Sequence, residues 1–290
     1  MSSFKDLKKN RMNNLEQLSK QVEKLSEKPS YEDDRIWKCE RDKTGNGYSV
    51  IRFLPAPTGE DVPWVRLWTH GFKGPGGWYI ENSLTTPRSG HPSGSDDPVS
   101  KSNTVLWNSG IESDKNIARD RKRKLSYYSN ILVLEDSVNA ENEGKVFLFR
   151  YGKKIFEKIE SVMNPEFKDE NPMNPFDFWE GANFKLKIRQ VDGFANYDKS
   201  EFASPTPLLD GDDAKLEEVW KQQHSLQGIL APENFKSYQE LEARFHTVIA
   251  HDEGVEQAGT IEESVPAASV DAAESTSEET LEYFKKLAEQ

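Results

Sequence analysis

The stretch Arg119–Tyr151, RDRKRKLSYYSNILVLEDSVNAENEGKVFLFRY, carries three physical signals in succession. Five of its first six residues, Arg119–Lys124, are basic, in a chain whose net charge is −12. The paired rings Tyr127 and Tyr128 follow and open an apolar run, Ile131–Leu134, with strand character. After a polar turn, Lys145–Tyr151 alternates again and sets Phe147, Phe149 and Tyr151 on one face. Cations beside strand-borne rings suit a single nucleic-acid strand, with charge for phosphates and flat surfaces for unpaired bases.

Outward from this stretch the chain reads as three parts. Residues 1–28 hold 7 basic and 4 acidic side chains, net +3, and Leu7, Met12, Leu15, Leu18, Val22 and Leu25 form a helical stripe. A basic helical arm is expected there, with Lys8, Lys9 and Arg11 placed to meet a neighbouring subunit or nucleic acid. Residues 252–290 hold 11 acidic and 2 basic side chains, net −9, in the Glu-, Ser- and Ala-rich composition of a disordered acidic tail. The body, 29–251, is mildly acidic, which still permits nucleic-acid binding if its cations gather on one face.

Within the body the pattern is mainly β with added helices, an α+β class. YSVIRFLP (48–55) alternates after a hairpin-type turn, TGNG (44–47). VPWVRLWTHGF (62–72) and GWYIENSL (77–84) follow around the glycine-rich KGPGG. Short strands at this spacing predict an antiparallel barrel or sandwich. Residues 85–118 read as a long irregular connection, and 153–163 as an amphipathic helix. ANFKLKIRQV (182–191) predicts a strand with Phe184, Leu186 and Ile188 inward and Lys185, Lys187 and Arg189 outward. GFANYDKSEF adds Phe194 and Tyr197, and 212–226 and 235–250 read as helices.

Several classes are disfavoured. The phosphate-cradling GxxxxGK[ST] and the GxGxxG, GxSxG and HExxH patterns are missing, so catalysis is not indicated. The single cysteine, Cys39, excludes an internal disulfide and a Cys-rich metal cluster. His70 and His91 beside Asp96 and Asp97 fall short of the three or four closely spaced ligands of a zinc site. No apolar run of membrane-spanning length or signal-peptide core is found, so a soluble intracellular protein is expected. Mean hydropathy is −0.80, polar enough that part of the chain is expected to remain unpacked.

The segments KRKLSYY, NILVLED, ENEGKVFLFRYGKKIFEKI, WEGANFKLKIRQV and GFANYD, in that order, resemble the replicative single-stranded DNA-binding, helix-destabilising proteins of T-even-like tailed phages. NGYSVIRFLP and HGF..GGWYIE extend the resemblance upstream, so that it covers roughly Trp37 to Ile249. It implies an OB-fold barrel core with a small inserted subdomain, about 62–118, in the host cytoplasm during infection. It also implies cooperative self-association through the basic arm, and recruitment of replication, recombination and repair proteins by the acidic tail. Carried over by position, the DNA-facing residues are Lys122, Arg123, Lys124, Tyr127, Tyr128, Phe149, Arg150, Phe194 and Tyr197. To these the pattern of cations and rings adds Arg119, Arg121, Tyr151, Lys185 and Lys187.

In two places the chain departs from the family. The resemblance implies a structural zinc held by one His and three Cys; the His matches His70, but the Cys positions fall on Ser83, Asp97 and Ser100. A hydroxyl cannot replace a soft thiolate, so no zinc and no other cofactor is expected. The arm element KKNRMNNL carries Asn where the family has Ser or Thr. An RNA-binding regulator and a purely protein-binding scaffold are the alternative readings.

Overall fold

The computed structural model describes residues 33–167 and 169–250. The arm with Lys8, Lys9 and Arg11, and the tail from residue 252, lie outside the described residues. The chain divides into two compact units, Met1–Ile36 and Trp37–Gln290. The second carries the sheet and is described by itself.

Its strands, in chain order, are β1 (Ile36–Trp37, which straddles the division), β2 (Gly47–Phe53), β3 (Val65–Gly74), β4 (Gly77–Asn82), β5 (Lys124–Asp136), β6 (Val146–Tyr151), β7 (Ala182–Val191), β8 (Phe194–Asn196) and β9 (Glu201–Pro205). Its α-helices are α1 (Pro98–Asn108), α2 (Glu112–Asp120), α3 (Lys153–Met163), α4 (Asp213–Lys221) and α5 (Tyr238–Ile249). The fold is mixed α+β and dominated by one sheet whose strand path, among the described residues, has two ends and does not close.

The opening stretch of sequence supplies the spine. β5 runs unbroken for 13 residues, with β6 along one edge, Tyr127 opposite Tyr151 and Leu132 opposite Val146. Two strands succeed each other along its other edge: β3 pairs Lys124–Tyr128, and β2 pairs Ile131–Asp136. All of these pairings are antiparallel, and opposite Val50 and Ile51 the register shifts by one, leaving Leu134 as the extra residue of a bulge in β5. Of the sequence expectations, the helix 153–163 and the strand 182–191 match the observed boundaries.

Two expectations are corrected. The TGNG turn precedes β2 but joins no hairpin, because Asp42 Oδ1 accepts from the amides of Thr44 and Asn46 and closes the turn on itself. The 85–118 connection is not irregular throughout; it carries α1 and α2. Asp97 caps α1 by accepting from Ser100 N, and Pro98 takes the first turn, a start signal present in the sequence as Asp-Pro-x-Ser.

Apolar packing falls into three clusters. The first lies on one sheet face around Phe53, with Ile51, Ile131, Val133, Phe149, Phe184 and Leu186. On the opposite face Leu54, Leu132 and Val146 meet Leu216 and Val219 of α4. The third joins Phe72 and Tyr79 of the β3–β4 hairpin to Val99 of α1 and to Leu241, Phe245 and Val248 of α5. Gly74 and Gly76 let α5 approach that closely, since a Cβ at either would stand 2.3 or 2.1 Å from the carbonyl oxygen of Val248 or Thr247. The hairpin is thus sealed by a helix more than 150 residues downstream in the chain, not by the 62–118 segment alone.

Candidate nucleic-acid interface

Side chains directly opposite each other in an antiparallel pair share a face, and this sorts the sequence-predicted residues. Tyr127, Phe149 and Tyr151 lie on the face of the Phe53 cluster; Tyr128 and Arg150, opposite each other, lie on the reverse face. Lys185 and Lys187 alternate with the buried Phe184 and Leu186 and therefore belong to that reverse face too. Between them and Arg150 sits the α4 cluster, so the cations of β6 and β7 do not form one continuous strip.

Four of the six expected stacking rings are core residues in this structure. Tyr127 is 7% exposed and stacks on Phe156 of α3, centroids 4.0 Å apart, while Tyr128, Phe149 and Tyr151 are equally buried. Tyr151 hydroxyl meets Ser129 Oγ at 2.9 Å, and burial pushes its pKa well above the ordinary phenol value. For Phe149 and Tyr151 the cause lies in β6, where Val146 and Leu148 are buried on the other face and Arg150 reaches solvent, so alternation there does not leave one whole side to solvent. Phe194 is exposed at the tip of the β7–β8 hairpin, where Asp192 and Gly193 both take positive φ, and Tyr197 is half-buried beside the Phe53 cluster. Lys158 of α3 donates to Asp198 O, which ties this hairpin to the helix carrying Phe156.

The basic run splits by role. Arg119 is held by Glu112 at 2.7 Å and lies over Trp107. Arg121 is half-buried between the rings of Phe72 and Phe245, 5.5 Å from each, and burial lowers its pKa. Its charge therefore clamps the β3–β4 end to α5 rather than facing an open surface. Lys122 is exposed and Lys124 half-buried at the start of β5. Arg123 lies 4.3 Å over the Trp68 ring, and its guanidinium donates to Thr85 Oγ1.

Trp68 and Arg66 were not singled out by sequence, and both matter here. On β3, Arg66 stands opposite Tyr127 and Trp68 opposite Leu125, so the two share one face beside Arg123. Arg66 is exposed and Trp68 half-buried. Trp68, Arg123, Thr85, Pro87 and Ser95 line an open groove of about 470 Å³. The signal was legible, since VRLWTH alternates and puts Arg66, Trp68 and His70 on one side. A ring with an arginine stacked on it beside an exposed cation can offer a base a flat partner and a phosphate a donor.

Arg52 was also missed. It is fully buried, donates to Asp177 O, Phe178 O, Thr206 O and Asn183 Oδ1, and has its pKa lowered to about 10 by burial, partly offset by Asp177. It remains cationic at neutral pH and anchors the proline-rich loop before β7. Among the described residues no group of three His, Cys, Asp or Glu side chains could hold a metal, and no helix is long and apolar enough to cross a membrane.

A sheet-dominated α+β fold carrying a ring–guanidinium pair in an open groove, with Arg66 exposed on the same face of β3, has the make-up of a nucleic-acid-binding protein. The chain belongs to the family described as "gp32 DNA binding protein like", whose model matches residues 45–249. It is 40% identical over 222 residues to a protein of Enterobacteria phage T2 named single-stranded DNA-binding protein, covering 76% of this chain and 72% of that one. A protein of the same name from Enterobacteria phage T4 is 38% identical over 239 residues, covering 80% of this chain and 77% of the other.

Proposed function

We propose that this protein binds single-stranded DNA with little sequence preference and coats exposed strands during phage replication, recombination and repair. The observation that carries the reading is the groove where β3 meets β5, with Arg123 stacked on Trp68 and Arg66 beside them. The role is binding, with no chemical step. Preference for single strands would itself melt duplex, because binding one form draws the equilibrium toward it.

In the same reading the sheet around β5 is an OB-type barrel, and the β3–β4 hairpin with α1 and α2 is a subdomain inserted into it. The long β5, shared by successive strands along one edge, supports that assignment. The DNA-facing set is then Arg66, Trp68, Lys122, Arg123 and Lys124, with Phe194 and Tyr197 at the far hairpin and Arg150, Lys185 and Lys187 as outlying phosphate contacts. Lys8, Lys9 and Arg11 would carry self-association along the strand, and the acidic tail would recruit partner proteins.

Titration of matched single-stranded and duplex oligomers at two salt concentrations tests the proposal. About five phosphate contacts would give a log–log salt slope near −3.5 for single strands. Equal affinity for duplex, or a flat salt dependence, would remove the proposal; stronger binding to a matched RNA strand would replace DNA as the ligand.

A further inference from the structure

His70, Ser83, Asp97 and Ser100 come from β3, the end of β4, the cap of α1 and its first turn, yet they converge on one carboxylate. Asp97 Oδ1 accepts from Ser100 N at 2.9 Å and faces His70 Nε2 at 3.2 Å. Asp97 Oδ2 accepts from Ser83 Oγ at 3.0 Å and from Leu84 N at 3.1 Å. His70 and Asp97 are each 1% exposed. On its other side His70 Nδ1 lies 2.9 Å from Arg121 O, which can only accept, so Nδ1 carries a hydrogen. Asn103 Nδ2 of α1 donates to the same carbonyl at 3.1 Å.

These are the positions at which the family resemblance implies zinc ligands, and the donor set does not fit the ion. A structural zinc takes four Cys or His donors; here there are one imidazole, one carboxylate and two hydroxyls. The carboxylate's oxygens are already engaged by four neighbouring groups. With a hydrogen on each ring nitrogen of His70, what remains is a complete hydrogen-bonded unit, a buried imidazolium–carboxylate pair.

We infer that His70 and Asp97, closed by Ser83 and Ser100, form a metal-free lock that fastens β3, β4 and α1 together and positions the basic run. The positioning acts through Arg121 O, one residue before Lys122 and two before Arg123. His70 and Asp97 are positioning residues in this account and touch no ligand. The second half of the inference rests on the proposed DNA-binding reading, and the first half does not.

The test uses the full chain. Elemental analysis should find no stoichiometric zinc, and EDTA should leave both melting temperature and single-strand affinity unchanged. One zinc per chain, or a melting temperature that EDTA lowers, overturns the lock. Asp97→Ala should lower the melting temperature and, measured well below it, weaken single-strand binding several-fold with a shallower salt slope. A folded Asp97→Ala protein with unaltered affinity and slope overturns the positioning role.

If that variant does not fold, the combination Ser83→Cys, Asp97→Cys and Ser100→Cys keeps the question open to measurement. With His70 it should take up one zinc and become chelator-sensitive in its melting. Failure of the folded variant to bind zinc would show that the four positions do not converge. Absence of single-strand binding by the unaltered protein would refute the proposed function, while the zinc and melting results would still decide the lock.

Discussion

Around Phe53, five ring centroids lie 5.6–6.3 Å away, and the surrounding side chains are almost wholly apolar. At the β3–β4 end three buried rings, Phe72, Tyr79 and Phe245, form the equivalent nucleus, and beside them sit the buried His70, Ser83 and Asp97. Tyr79 is fully buried, and its hydroxyl has no hydrogen-bond partner among the described residues. Apolar burial is non-directional and survives small displacements; a buried polar set holds only while its geometry is complete. The central sheet is therefore expected to open last and the β3–β4 end first, and it is the latter that holds the Trp68 side of the groove.

The largest effect that could break this contrast is Phe53→Ala. Removing the ring at the centre of the cluster should cost about 3–5 kcal/mol in denaturant unfolding. A loss below about 1 kcal/mol would mean that the sheet does not rest on this cluster. Arg52→Ala tests a buried cation within the sheet. It leaves three backbone carbonyls without their donor, at about 1–3 kcal/mol each, so a loss of about 3 kcal/mol or more is expected. Gly181 underlines the fit, since a Cβ there would lie 2.4 Å from Asp177 O and 3.0 Å from Arg52 Nη2.

For the groove, Trp68→Ala should weaken single-strand binding by about 1–3 kcal/mol if one base stacks on the ring. Tyr127→Ala offers the contrast, because its ring lies under Phe156 and its removal should unfold rather than merely weaken binding. Fluorescence titration of both variants, with melting curves alongside, separates the two. Equal affinity of a folded Trp68→Ala protein would move the binding surface elsewhere.

These variants also mark what the sequence could convey. The strand 182–191 and the helix 153–163 were readable because each has one wet face, so alternation or helical periodicity survives in the residues. β6 defeated the same reasoning: Val146 and Leu148 are buried on one side and Phe149 and Tyr151 on the other, and aromatic rings beside cations looked like a platform. Arg52 could not be read, since a cation solvated by carbonyls from 125 to 154 residues away leaves no local pattern. The convergence of His70, Ser83, Asp97 and Ser100 was legible only as a family alignment of positions; that hydroxyls and a carboxylate could close the site without metal needed the geometry.

Acid offers a gentler probe of the central sheet. Burial would raise the Asp136 carboxyl, but bonds from Trp37 Nε1 and Asn142 Nδ2 and the amides of Asn139 and Val138 outweigh it and hold its pKa below the usual value. A carboxyl depressed in the folded state stabilises fully above the unfolded value, about 3.9, and loses that contribution as pH falls through the folded one. Asp136→Asn should therefore flatten the melting-temperature profile below about pH 4. An unchanged profile would remove Asp136 from the acid response.

The smallest expected effect sharpens the contrast most directly. Ser237 caps α5 by accepting from Glu240 N, while the Glu240 carboxylate returns to Ser237 N at 2.8 Å. Ser237→Ala should cost about 1 kcal/mol. Because α5 supplies Leu241, Phe245 and Val248 to the β3–β4 end and nothing to the Phe53 cluster, the loss should be local. Hydrogen exchange should quicken at the amides of Phe72 and Tyr79 while those of Ile51 and Phe53 keep their protection. Exchange that quickens equally in both places would show that the two regions open as one unit, and the contrast between an apolar sheet and a polar-locked end would no longer describe how this protein unfolds.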